Sequence, residues 1–391
     1  MKTQISDKLK SLTGYAFDEV EKEVARLKQS GITPIDFGVG DPKEPTPELI
    51  RESIKKAVDE RKSSGYPSYT GTDEFRNAAA KWCKKRFNIS LDYTKEITST
   101  IGAKEAVFNF PEAFLNSGDY AIMPNPGYPP YERGTLFAEG KPYFVPLLKE
   151  NEFLMDLNYI PKDVVRKAKI LWINYPSNPT GAVAPKDFFK EAVDFCHDNN
   201  LILASDECYT EIYFNEKPHS ILEFSMEGAV AFQSLSKRSA MTGYRIGWVA
   251  GDENLISAFK KLKTNIDSGT PTFIQDAAVA ALSDEKHVEK MRNEYKIKRD
   301  ILVNALVSAG LEDCTPEATL YVWQKTPDGI DSAQFAKKLL QKKIAVVTTP
   351  GEWISTHFNG FNPGKNHVRF ALVPTIEETK EAADRIMEHL K

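Results

Sequence analysis

The sequence predicts an α/β protein with a mostly parallel central sheet in a large domain and a small α+β domain beside it. Short apolar runs recur between Tyr93 and Gly251, bounded by Gly, Pro, Asn and Asp, as strands buried on both faces require. Three of these runs, at 170–173, 201–204 and 229–232, each lead into a polar cluster. Open α/β sheets present ligand-binding residues in this way, at the carboxyl ends of their strands. A charged helical stretch over 287–309 then links this region to a set of smaller elements.

The other elements follow in chain order. Apolar residues recur at helical spacing over 17–24, on one face. Pro45-Thr46-Pro47 closes an irregular stretch, and Thr46 is the expected cap of the helix holding Leu49 and Ile50. A helix is expected over 104–113, directly after Gly102 and Ala103. Beyond the charged stretch come a strand over 320–323, a helix over 335–340, a strand over 344–347 and a final helix. The expected division is an arm and part of the small domain over 1–40, the large domain over 41–284 and the small domain over 285–391.

Composition narrows the function classes. Net charge is 51 − 55 = −4 with no long run of one sign, which speaks against nucleic acid or an anionic membrane as partner. The first residues lack the apolar core of a signal peptide, and no apolar run reaches spanning length. Cytoplasmic localisation is the expectation. Cys83, Cys196, Cys208 and Cys314 show no CxxC spacing, so reduced and mostly buried thiols are expected. The six histidines form no H-x-x-x-H pair, and no metal site is expected.

The chemistry concentrates in Ser234-Leu235-Ser236-Lys237, followed by Gly243-Tyr244-Arg245-Ile246-Gly247. A lysine amine can form an imine with the aldehyde of pyridoxal 5'-phosphate. Serine hydroxyls and an arginine fork can hold its phosphate, and glycines allow close backbone approach. A lysine near serines is more often a solvated surface residue. The polar clusters Asn174-Tyr175-Pro176-Ser177-Asn178-Pro179-Thr180-Gly181 and Ser205-Asp206-Glu207-Cys208-Tyr209, delivered by neighbouring strands, favour the cofactor reading.

In order along the chain stand Gly38-Val39-Gly40-Asp41-Pro42, Tyr66-Pro67-Ser68-Tyr69-Thr70-Gly71, Gly102-Ala103-Lys104 and Pro124-Asn125-Pro126-Gly127-Tyr128. Asn178, Asp206 with Tyr209, Lys237, Arg245 and Arg369 complete the series. Over nearly its whole length the chain resembles the pyridoxal-phosphate-dependent aminotransferases of fold type I, class I/II. The resemblance implies that Lys237 carries the cofactor and moves a proton at the substrate α-carbon. It implies that Asp206 keeps the pyridine nitrogen protonated, while Tyr209 and Asn178 bond the phenolic oxygen. Gly102, Ala103 and Lys104 at a helix start, with Ser234, Ser236 and Arg245, would form the phosphate cup. Tyr128 would stack on the ring. Tyr66 would reach the phosphate of the other subunit, which makes a homodimer the expected unit. Arg369 would grip the substrate carboxylate with two hydrogen bonds, and the backbone of Val39 and Gly40 would close over it. The amino-terminal arm would pack with the carboxyl-terminal domain.

Two local patterns bear on the substrate. The segments at 234–239 and 205–214 are similar to N-succinyl-diaminopimelate aminotransferases. Those at 134–138, 241–247 and 263–269 are similar to enzymes acting on LL-diaminopimelate. The expectation is a diaminopimelate aminotransferase of lysine biosynthesis, with glutamate and 2-oxoglutarate as the other pair. Aminotransferases for alanine, aspartate, methionine or aromatic amino acids remain open, as does a carbon–sulfur β-lyase. A cofactor-binding regulatory domain is disfavoured, because no basic helix-turn-helix segment precedes Gly31.

Overall fold

The computed structural model describes residues 3–12 and 18–390. Its strands are β1 (Ile35–Asp36), β2 (Ile97–Thr100), β3 (Tyr120–Asn125), β4 (Lys141–Pro146), β5 (Ala168–Asn174), β6 (Ile202–Asp206), β7 (Ala229–Ser234) and β8 (Gly247–Gly251). Nearer the carboxyl terminus lie β9 (Tyr321–Lys325), β10 (Val346–Val347), β11 (Thr349–Pro350) and β12 (His367–Ala371).

Seven strands form one sheet in the order β2-β8-β7-β6-β5-β3-β4. Strands β4, β3, β5, β6 and β7 pair parallel, as their apolar runs predict. The departure is β8, which is antiparallel to both β7 and β2. The residues between β7 and β8 are spent on the turn carrying Lys237, helix Leu235–Arg238 and a 3₁₀ turn at Thr242–Tyr244. No crossover helix is left to bring the chain back parallel. Ser234 and Gly247 pair across the mouth of this loop, and Gly247 also pairs with Thr100. Lys237 therefore sits in a loop pinned to the same sheet edge at which β5 and β6 end.

The helix expected over 104–113 forms in two parts, an α-helix Ala103–Asn109 and a 3₁₀ turn Phe110–Ala113. Pro111 is the cause, because it has no N–H for the α-helical ladder. Phe110 packs edge-on against Phe232 of β7 at 5.2 Å and Trp172 of β5 at 6.0 Å between ring centroids. Those contacts hold the end of this helix against β5 and β7. Burying one such aromatic ring contributes roughly 1.5–3 kcal/mol.

Thr46 does not cap a helix. The helix Glu48–Glu60 starts after Pro47 without a side-chain cap, and the Thr46 hydroxyl donates to Ala240 O at 2.6 Å. A tertiary acceptor has taken the hydroxyl that sequence assigned to capping. The helix expected over 17–24 runs from Asp18 to Gln29, with Phe17 outside the described residues.

A three-stranded antiparallel sheet, β11-β12-β9, and the parallel pair β1-β10 make up the second region. Leu27, with Val20 and Val24, packs against Leu340, Ala345 and Val347. Earlier in the chain, Lys8 instead pairs with Glu139 at 3.0 Å and donates to Phe137 O. The amino-terminal segment thus touches both regions, because its apolar face and its charges find partners in different places. Cys83 and Cys196 are buried and Cys208 and Cys314 half-buried, all four as free thiols. Among the described residues no helix is long and apolar enough to cross a membrane, and no group of three or more metal-ligating side chains forms.

Candidate active site

Strands β5, β6 and β7 deliver Asn174, Asp206 and Ser234 to the wall of one cavity of about 620 Å³. Lys237 and Arg245 from the following loop, Ala103 and Lys104 from the helix start, and Arg369 from β12 line it too. So do Val39, Gly40, Tyr128, Asn178, Tyr209 and Ser236. Gly102 stands immediately behind, against Arg245. Tyr66 is not part of this wall and is 92% exposed in a loop.

The Lys237 amine donates to Gly40 O at 2.5 Å, so the segment 38–41 lies directly over the lysine. Gly40 must be glycine here, since a Cβ would lie 2.1 Å from the Tyr321 hydroxyl. Asp206 is buried at the floor. Its Oδ2 accepts from the Tyr131 hydroxyl at 2.7 Å and its Oδ1 from the Cys208 N–H at 3.2 Å. Burial lifts its carboxyl above the usual range, against those two donors. A cation placed opposite would favour the anion, and a protonated pyridine nitrogen is such a cation. Burial also pushes the Cys208 thiol and the Tyr131 and Tyr209 hydroxyls well above their ordinary values, so all three are neutral donors.

Arg369 projects between Val368 and Phe370, which are buried on the other face of β12. Its Nη1 donates to Asn178 Oδ1 at 3.1 Å and its Nη2 to Gly38 O at 3.0 Å. The guanidinium lies over the Tyr321 ring, 4.5 Å from its centroid. Its Nε is buried without a hydrogen-bond partner, which leaves donor capacity for a carboxylate. Asn178 is itself held by its N–H to Asn174 Oδ1, and Asn174 donates to Asp206 O.

Arg245 adopts a left-handed conformation with φ 56°. Its Nη1 donates to Thr242 O at 2.7 Å. Gly102 has φ 71°, and a Cβ there would lie 2.3 Å from Arg245 Nη2. Backbone amides at the start of a helix, the Ser234 and Ser236 hydroxyls and a guanidinium thus converge where an anion can sit. Sequence reasoning missed Tyr131 and Tyr321. Tyr131 reaches Asp206, while Tyr321 meets Tyr209 at 3.2 Å between hydroxyls. Tyr131 lies three residues after Tyr128, one helical turn along, and that spacing was the available signal. Tyr321 lies in an apolar strand and carried none.

The fold sets a lysine amine, a buried carboxyl and a group of anion-binding donors on the wall of one cavity. The family model for aminotransferase class I and II matches residues 32–386, and the chain belongs to that family. An LL-diaminopimelate aminotransferase of Aquifex aeolicus is 44% identical over 98% of both chains. One from Halothermothrix orenii is 42% identical over 97% of both. Substrate-bound BacF from Bacillus subtilis superposes with a TM-score of 0.91 at 32% identity, over 99% of this chain and 98% of that one. The protein is therefore an aminotransferase dependent on pyridoxal phosphate, acting on amino acids and 2-oxo acids. The glycine at 102, where a side chain would strike Arg245, and the buried Asp206 carboxyl on the same cavity as Lys237 suit that cofactor.

Proposed function

We propose that this enzyme moves the amino group of LL-diaminopimelate, with glutamate and 2-oxoglutarate as the second pair, in the synthesis of lysine. The names of the relatives at 44% and 42% identity support the substrate. The placing of the Lys237 amine, the Asp206 carboxyl and the Arg369 guanidinium on one cavity supports the reaction. Bound pyridoxal phosphate supplies a ring that withdraws the electrons left when a bond to the α-carbon breaks.

Lys237 would hold the cofactor through its amine and would carry a proton at the substrate α-carbon. Asp206 holds the ring nitrogen protonated, and Tyr131 keeps that carboxylate in place. Tyr209 and Asn178 serve the ring oxygen, with Asn178 also steadying Arg369. Arg369 binds the α-carboxylate, and the segment 38–41 excludes water above it. Ala103, Lys104, Ser234, Ser236 and Arg245, with the glycine at 102, would hold the phosphate, and Tyr128 would stack on the ring. The working unit is a cytoplasmic homodimer in which Tyr66 enters the neighbouring subunit's site. The chain divides into 1–40, 41–284 and 285–391.

The deciding experiment is the half-reaction. Holoenzyme is mixed separately with LL-diaminopimelate, its N-succinyl form, glutamate, alanine and phenylalanine, and loss of the cofactor's aldehyde-form absorbance is followed. Fast conversion with LL-diaminopimelate and glutamate is expected. Conversion only with alanine or phenylalanine would discard the substrate while leaving the reaction class intact.

A further inference from the structure

The turn that carries Lys237 is tied to a second buried network, which the roles given above leave unused. His287 opens the helix Lys286–Ser308, just after the helix Thr272–Ser283 ends. Its Nδ1 lies 2.7 Å from Asp284 Oδ2, and its Nε2 lies 2.9 Å from Ser239 Oγ. Asp284 Oδ2 also accepts the His287 backbone N–H at 3.1 Å. A carboxylate only accepts, so Nδ1 carries the imidazole proton, and Nε2 accepts from the Ser239 hydroxyl. Ser239 Oγ in turn accepts from Arg238 Nη1 at 3.0 Å. Arg238 is fixed by Ala281 O at 2.9 Å and Glu285 Oε1 at 2.7 Å.

Serine, histidine and aspartate in this order resemble a hydrolytic triad. That role fails here, because Ser239 is fully buried and does not line the cavity that holds Lys237. What the network does hold is the turn that carries Lys237. Ser239 stands two residues beyond it, and the Ser239 N–H closes the helical turn onto Leu235 O at 3.0 Å. The next residue, Ala240, has φ 49°, and its carbonyl receives the Thr46 hydroxyl from the segment that leads away from Gly40. The turn presenting the amine is therefore fastened on one side by His287 and on the other by Thr46.

We propose that Asp284, His287 and Ser239 form a proton-sensitive positioning device for Lys237: neutral His287 holds the turn in its working geometry, and protonated His287 releases it. On protonation both imidazole nitrogens become donors. Ser239 Oγ would then face two donors, His287 and Arg238, and its own proton would lose its acceptor inside the protein. An unmet buried hydroxyl is costly, and a second cation would sit beside Arg238. Burial, then Arg238, hold His287 below its ordinary value of 6.5, while Asp284 and Glu285 oppose them. Because the folded value is depressed, the hold is complete above pH 6.5 and is lost as pH falls through the lowered value. The inference concerns the lysine and holds for any amino-acid substrate.

The test uses holoenzyme titrated between about pH 5 and 8. Three signals are followed: the His287 ring proton by NMR, the absorption band of cofactor joined to Lys237, and kcat and KM for glutamate. In the unaltered protein the band and kcat should change with the midpoint of His287, with KM little moved. His287→Gln keeps an acceptor for Ser239 but does not titrate, so its acid transition in the band should vanish. Ser239→Ala should leave His287 titrating while the band no longer follows. A band indifferent to His287, or the same transition surviving in His287→Gln, would overturn the proposal. So would variants that only melt earlier with an unaltered pH profile. If His287→Gln does not fold, Ser239→Ala decides by itself.

Discussion

Asp206 and Glu207 are neighbours in sequence at the end of β6, yet they face different surroundings, as alternation along an extended chain dictates. Asp206 lines the cavity, whereas Glu207 is fully buried beneath. Its carboxylate accepts from Ser205 Oγ, Ile221 N and Gln233 Nε2 at 2.8–3.0 Å. Burial outweighs those donors and raises its pKa from 4.5 to about 7. A raised folded value means stability that is complete below pH 4.5 and lost as pH rises through about 7. The full loss is on the order of 3 kcal/mol. Thermal melts across that range should show this decline in the parent and not in Glu207→Gln; equal slopes would refute it. Asp206→Asn keeps the volume but removes the charge proposed to face the ring nitrogen. Losing a charge-assisted hydrogen bond costs about 1.5–3 kcal/mol, so the half-reaction should slow at least tenfold with folding intact. Unchanged turnover would remove Asp206 from the chemistry.

At the scale of elements, the site depends on how three segments end. The loop after β7 must return antiparallel, and the pairing of Ser234 with Gly247 sets where Lys237 emerges. The helix Ala103–Asn109 must start at a residue of positive φ, so that its amides and Arg245 meet. Gly102→Ala would meet both backbone strain, about 1–3 kcal/mol, and a collision with the guanidinium. Cofactor affinity measured by equilibrium dialysis should fall about tenfold or more. An unchanged affinity would mean that Arg245 has no part in the cup. Thr46 and Pro111 show why element boundaries escaped the sequence: one hydroxyl could accept from a helix N–H or donate to a distant carbonyl, and one proline divided an otherwise helical pattern.

At the scale of the whole molecule, Tyr66 is the informative residue. It is 92% exposed and lies away from its own chain's cavity. The proposed role of Tyr66 in the neighbouring subunit's site would cover that exposed ring. Mixed dimers test this. Lys237→Ala and Tyr66→Ala are each expected to be poorly active alone. Refolded together, they should regain activity, because one site per hybrid combines an intact Lys237 with an intact Tyr66 from the other chain. No recovery in demonstrated hybrids would place Tyr66 outside the neighbouring site.

The sequence alone indicated the mostly parallel sheet with polar strand ends, and it singled out Lys237, Asp206, Arg245 and Arg369, which the fold brings to one cavity. These are legible because buried strands need unbroken apolar runs, and because the ordered series from Gly38 to Arg369 resembles that of a known family. Only the tertiary structure decided that Tyr131 braces Asp206 and that Tyr321 lies beneath Arg369. It alone joined Ser239 to His287 across nearly fifty residues of chain. A hydrogen bond between distant segments leaves no periodicity in sequence. It exists only once the packed core has fixed the distance between its donor and its acceptor.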